Sequence, residues 1–243
     1  MPEPADWPEP VDAVNEGGTS DTVLLCEHAS NHMPAEYGGL GLPPSELQRH
    51  IAWDIGAAAV TRRLCDLLDA AAFLGTYSRL LIDLNRPLDA PDSIPQRSES
   101  TDIPGNVLMT AVERLRRRDL IFMPYHRRVS AHLDSRQAAR RSTRLLSIHS
   151  FTPTFLGQTR PWHAGVLFIG AVDLGHRIAD RLRGPDLLVG INEPYKTDRR
   201  ADYGIPVHGD DRGIAAVMME IRNDLIRDPA SVEQWASAIG EAL

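Results

Sequence analysis

Short apolar runs, each ending in polar or ionisable side chains, recur along this chain and constrain its fold more than any other feature. Leu145-Leu146-Ser147-Ile148-His149-Ser150-Phe151 is the run to build on, because its apolar residues lead directly into a histidine. A run of this length reads as a strand buried in a sheet. A histidine where such a strand ends faces the crevice in which open α/β sheets hold their ligands. Standing alone, it would be read as a satisfied polar residue. It does not stand alone: Thr22 to Cys26 leads into Glu27-His28, Arg79 to Leu84 into Asn85-Arg86, and Leu187 to Ile191 into Asn192-Glu193.

Segments with helical spacing separate these runs. Val60, Leu64, Leu67, Leu68 and Ala71 recur on one helical face, and Asp54 is placed to cap that helix. Helices are also expected over Thr110 to Asp119, Pro124 to Arg140, Leu174 to Leu182 and Val232 to Leu243, with further strands at Phe73 to Thr76, Gly165 to Ile169 and Ala216 to Arg222. Strands alternating with helices predict an α/β sandwich around a mostly parallel sheet. No internal repeat or boundary divides it, so residues 21–243 are expected to form one catalytic domain. Residues 1–20, rich in proline and acids, are expected to be a mobile or surface-draped arm.

A formal net charge of −7 argues against a general nucleic-acid binder, and no apolar run approaches the roughly 18 residues of a membrane span. The N-terminus shows no basic segment followed by an apolar one, so no signal peptide is expected. Two cysteines without CxxC spacing fit a reduced, cytoplasmic setting. The arginine-rich stretch from Arg114 to Arg144 reads as solvated helix faces.

The strand ends supply the parts of a metal hydrolase. A catalytic zinc takes three N or O ligands and keeps one position open for water. His28 and His149 are the first two candidates, and Asp54 and Glu27 compete for the third. Neighbouring strand residues face opposite ways, so Glu27 could join His28 on one ion only past the strand's end. Glu220, within Met218-Met219-Glu220-Ile221, is the candidate base, because a carboxylate in so apolar a run is costly without a role or a partner. Arg79 and Arg86 suit an oxyanion or a substrate carboxylate; balancing Asp83 is the competing account.

Glu27-His28-Ala29-Ser30-Asn31-His32-Met33-Pro34, Ala52-Trp53-Asp54-Ile55-Gly56, Ser78-Arg79-Leu80-Leu81-Ile82-Asp83-Leu84-Asn85-Arg86-Pro87, Tyr125-His126, Ser147-Ile148-His149-Ser150-Phe151 and Asn192-Glu193-Pro194-Tyr195 together resemble the N-formylglutamate amidohydrolase family. That family is similar in turn to zinc carboxypeptidases and aspartoacylase-type deacylases. The resemblance implies a three-layer sandwich with a mixed, mostly parallel sheet of the zinc-carboxypeptidase kind. It implies one zinc ion per chain on His28, His149 and a carboxylate, Asp54 before Glu27. It implies Glu220 and Arg79 as catalytic residues, Asn85 and Arg86 holding a substrate carboxylate, and Asn31, Ser150, Glu193 and Tyr195 as further substrate contacts. One departure from the carboxypeptidases is visible: three residues after His28, where they carry a glutamate ligand, this chain has Asn31. The expected substrate is a small N-acyl acidic amino acid, N-formyl-L-glutamate first. Another acyl group or amino acid, or a non-catalytic carboxylate-binding protein, stays open, as does the oligomeric state.

Overall fold

A computed structural model describes residues 7–243. Seven strands form one mixed sheet: β1 (Val11–Val14), β2 (Thr22–Cys26), β3 (Ala71–Gly75), β4 (Arg144–Phe151), β5 (Ala164–Leu167), β6 (Val189–Ile191) and β7 (Ala215–Arg222). Their spatial order is β1-β3-β2-β4-β7-β5-β6. β3, β2, β4 and β7 run parallel, whereas β1 pairs antiparallel with β3 and β5 antiparallel with β7. The central strands are rich in apolar residues because both faces of the sheet are covered; every residue of β2 is buried.

Among the described residues seven α-helices accompany the sheet: α1 (Ala57–Leu68), α2 (Pro104–Val107), α3 (Ala111–Arg117), α4 (Met123–Ala138), α5 (Val172–Leu182), α6 (Gly204–His208) and α7 (Pro229–Ala242). On one face α1, α5 and α7 pack against Leu24, Leu146, Ile148, Val217 and Met219. On the other, α4 and the segment from Leu80 to Leu84 pack against Val23, Leu25, Leu145, Ala216 and Met218. Strand residues alternate between faces, so Ser147 and His149 share the second face with Leu145, and Glu220 shares it with Met218. The apolar core on this face gives way to polar side chains toward the carboxyl ends of β4 and β7. No helix among the described residues is long and apolar enough to cross a membrane.

Three expectations need correction. Arg79 to Leu84 is not a strand: Leu81 N donates to Ser78 O, Arg86 N donates to Asp83 O, and the segment runs through turns. Its apolar residues are buried against α4, and Asn106 and Arg117 donate to the carbonyls of Leu80 and Leu81. Burial without sheet pairing leaves the same apolar signature in a sequence. The proline-rich arm contributes β1 to the sheet edge, where proline is tolerated on either side of a short strand; residues 1–6 lie outside the described residues. The arginine-rich helices, joined by a π-helical turn at Arg118–Phe122, are not solvated throughout, because Arg117 and Arg136 are buried against backbone carbonyls.

Candidate active site

Three loops are stitched together at the carboxyl ends of β2 and β4. Asp54 N donates to His28 O at 2.9 Å, Ser78 N to His32 O at 2.8 Å and Arg79 N to Ala52 O at 3.2 Å. Asp54 therefore sits over the ends of the strands instead of capping α1, whose first residue follows Gly56 at a left-handed φ of 86°. A side chain there would strike Ile226, so the tight entry into α1 requires glycine.

This stitching brings His28, Asp54 and His149 together, with one ligand atom from each within 4.8 Å of the others and all three residues buried. Asp54 Oδ2 lies 2.8 Å from His149 Nδ1 and 3.3 Å from His28 Nδ1. Each ring is held from behind by a carboxylate. His28 Nε2 lies 2.6 Å from Asp83 Oδ1, and His149 Nε2 lies 3.0 Å from Glu27 Oε2 and 2.9 Å from Ser147 Oγ. Ser147 in turn donates to Glu27 at 2.6 Å. Each imidazole meets a carboxylate at both nitrogens; in the tautomer with its proton on Nε2, toward Asp83 or Glu27, the Nδ1 lone pair faces Asp54. Two imidazole lone pairs and a carboxylate oxygen thus converge on one spot, which calls for a cation.

Electrostatics point the same way. Burial would raise the Asp54 pKa, but the facing rings of His28 and His149 outweigh it and hold the carboxyl far below its usual range. Glu27, equally buried, is held down to about 2 by His149 and Ser147. Burial would lower the His149 pKa, but Asp54 and Glu27 raise it well above its usual value. A field that favours a proton on His149 favours a metal cation as well. The donor set of two imidazole nitrogens and one carboxylate oxygen, each ring carrying a carboxylate on its far nitrogen, fits zinc. Glu27 thus faces the outer nitrogen of His149, away from the converging donors.

Glu220 stands beside His149, its Cα in register across β7 and β4. It is 6% exposed, its Oε2 has no hydrogen-bond partner, and burial pushes its pKa up to about 7 against the pull of His149. Arg79 donates to Asp83 at 2.6 and 3.0 Å and to Asp54 at 3.3 Å, so it braces both carboxylates as well as facing the cavity.

A cavity of about 640 Å³ opens over these residues. Arg86, Ser150 and Tyr195 line it. Arg86 is partly engaged, donating to Asp92, Ala201 O and Asp202. The Ser150 hydroxyl donates to Ile55 O and its N–H to Asp54, which steadies the Asp54 loop. Asn85 also reaches the cavity wall, but its amide is committed: Oδ1 accepts from Tyr203 N and Gly204 N, and Nδ2 donates to Asp202. Asn31 and Glu193 do not line the cavity. Asn31 pins its loop by donating to Leu47 O at 2.8 Å. Sequence reasoning gave no role to Ser147 and did not foresee Asp83 and Glu27 behind the two rings. Ser147 could have been found from its spacing, two residues before His149 on the same strand face.

Residues 20–227 match the family model described as N-formylglutamate amidohydrolase. The chain belongs to the N-formylglutamate amidohydrolase family. Membership of this family supports a hydrolase. Among solved structures it is similar to a gene product of Agrobacterium tumefaciens, with 36% identity, a TM-score of 0.93, and 97% of this chain and 95% of the other covered. It is also similar to an N-formylglutamate amidohydrolase from Ralstonia eutropha, with a TM-score of 0.69 and 97% and 96% covered. At 18% identity the second likeness concerns the fold. No match was found among curated proteins.

Proposed function

We propose that this family member is a zinc-dependent amidohydrolase that cleaves the amide of an N-acyl acidic amino acid, N-formyl-L-glutamate being the first compound to test. The observation that carries the reading is the convergence of His28 Nδ1, His149 Nδ1 and Asp54 Oδ2 beside an unpartnered Glu220 carboxylate. His28, Asp54 and His149 would hold the metal, and the likeness to zinc carboxypeptidases expected from the motifs belongs to this proposal. A zinc ion bound there supplies a water of pKa about 7 and a Lewis acid for a carbonyl oxygen.

The chain's own residues do the rest. Glu220 accepts the proton of the attacking water and delivers it to the departing nitrogen, which turns an amide anion into a stable amine. A carboxylate whose pKa is pushed up to about 7 is poised to take a proton and give it back near neutrality. Arg79 faces the cavity with a guanidinium fixed by two carboxylates, so it can stabilise charge developing on the carbonyl oxygen without reorganising. Arg86, at the cavity wall, is placed for a substrate carboxylate. Asn85 fixes the loop that carries Tyr203 and Gly204. With a cation at Nδ1, Asp83 and Glu27 would accept the Nε2 protons and hold both rings in orientation.

The test is direct. Purified protein is stripped with a chelator, reloaded with zinc, and incubated with N-formyl-L-glutamate and related N-acyl amino acids while released amine is measured. Zinc-dependent release with one metal per chain is expected; equal release from stripped and reloaded protein would overturn the metal-dependent reading.

A further inference from the structure

The two banks of the cavity differ in chemistry. Arg79, Asp83 and Arg86 come from the 79–86 turns, and the other carboxylates that meet the two arginines, Asp54, Asp92 and Asp202, come from neighbouring loops. The lining drawn from the sheet and the loops beyond it carries an apolar patch beside His149 and Glu220, with Lys196 next to Tyr195. Phe151 and Met218 come from β4 and β7, on the sheet face that also carries His149 and Glu220. Leu167 of β5 stands opposite Met218 across the antiparallel pair. Phe155, from the short hairpin that pairs Thr154–Phe155 with Gln158–Thr159, and Tyr195 also line the cavity.

Arg160 packs behind the outer part of the wall. Its guanidinium lies 4.5 Å from the ring centre of Phe155, 4.8 Å from that of Tyr195 and 5.7 Å from that of Phe151. It is 8% exposed, donates a long hydrogen bond of 3.5 Å to Thr152 O, and also hydrogen-bonds the Tyr195 hydroxyl. A buried guanidinium is stabilised by aromatic faces around it, and it fixes those three rings relative to one another. The wall is therefore a built surface with three rings set by a common neighbour.

A formyl group carries only hydrogen beyond its carbonyl and would leave this wall facing water. In an N-acyl acidic amino acid every charge lies on the amine half, and burying a carboxylate against an apolar wall without a partner is costly. The acyl half is the uncharged one, and it alone matches the apolar bank. A cavity of about 640 Å³ also falls within the roughly 300–1,000 Å³ typical of drug-sized ligands. We propose that Phe151, Phe155, Leu167, Met218 and Tyr195 form an acyl-group subsite, so that this chain takes N-acyl amino acids whose acyl group is aromatic or aliphatic and larger than formyl. This inference rests on the amidohydrolase reading of the site and deepens it.

The test uses the full-length, zinc-loaded protein and three ligands, N-formyl-L-glutamate, N-benzoyl-L-glutamate and N-formyl-L-phenylalanine, with affinity measured by calorimetry and amine release measured in parallel. The expected result is N-benzoyl-L-glutamate binding about tenfold or more tightly than either formyl compound, on the scale of a small apolar group in a fitted pocket. In Phe155→Ala the benzoyl-to-formyl affinity ratio should fall toward one. Arg160→Ala should lower the same ratio by loosening the rings, and Arg160→Lys should restore part of it. N-formyl-L-glutamate binding as tightly as N-benzoyl-L-glutamate would overturn the subsite, as would N-formyl-L-phenylalanine binding best, which would give the wall to the amino-acid side chain. Selective binding with no amine released from any ligand would keep the subsite and overturn the hydrolase reading instead.

Discussion

His149 and Glu220 are register partners on neighbouring parallel strands, one offering a nitrogen toward Asp54 and the other a carboxylate oxygen without a partner. That pairing places a candidate metal ligand and a candidate base on one rigid sheet face. Glu220→Gln keeps the shape and removes the base. It should lower kcat and kcat/KM together by about 10²–10⁴-fold, with KM nearly unchanged and zinc still bound. Steady-state kinetics with metal analysis check it; near-normal turnover in the glutamine variant would remove Glu220 from the mechanism.

Asp54 and Glu27 both touch His149, but from opposite nitrogens, and this separates their expected losses. Asp54→Ala deletes a ligand and should abolish stoichiometric zinc. Glu27→Gln removes a charge behind the ring and should weaken zinc by about 10–100-fold without abolishing it. Competition with a chromogenic chelator measures both. Equal losses in the two variants would mean that Glu27 is itself a ligand.

Much of this architecture was legible because buried strands announce themselves. Thr22 to Cys26, the His149 run and the Glu220 run all lie in the sheet where their apolar patterning put them. The 79–84 segment misled because an apolar run records burial and says nothing about hydrogen-bond partners; its carbonyls are met by Asn106 and Arg117. β1 was missed because four residues on a proline-flanked edge carry little apolar signal. His28 and His149 could be named from strand ends, and Asp54 stood against Glu27 for the third place. The roles of Asp83 and Glu27 could not, since a partner behind a ring is fixed by loop stitching across 55 residues in one case and 122 in the other.

Asn85 and Arg86 are neighbours in sequence with different work to do. Arg86→Ala removes a cavity-lining cation that meets the substrate in ground and transition states alike, so KM should rise with kcat changed less. Asn85→Ala strips the side-chain acceptor from the N–H of Gly204, while Tyr203 N keeps the Asn85 carbonyl at 3.2 Å, so a loss of about 1–3 kcal/mol of stability is expected for the one buried donor left unpaired. Denaturant unfolding beside kinetics distinguishes them. A stable Asn85→Ala protein with a raised KM would return Asn85 to direct substrate binding.

A buried histidine pair, His126 and His208, takes no part in the proposed chemistry. His126 Nε2 lies 2.9 Å from Leu84 O, a pure acceptor, so the ring proton sits there and His126 Nδ1 accepts from His208 Nε2 at 2.8 Å. His208 Nδ1 is then a bare lone pair, and it has no partner. Burial keeps both rings neutral, holding His208 down to about 4 and His126 well below its usual value, while the Glu27 carboxylate pulls the other way. Both pKa values are depressed relative to the unfolded chain, near 6.5. Between about 4 and 6.5 the unfolded chain therefore binds protons that the folded chain refuses, and stability falls as pH falls through that window. Above it the contribution is fully present. His208→Gln retains an amide N–H for His126 and removes one titrating ring, so its stability should depend less on pH across the same window. Urea unfolding of both proteins at pH 7.5 and pH 5 measures the difference. If the two lose the same stability on acidification, the pair is not the source of the dependence.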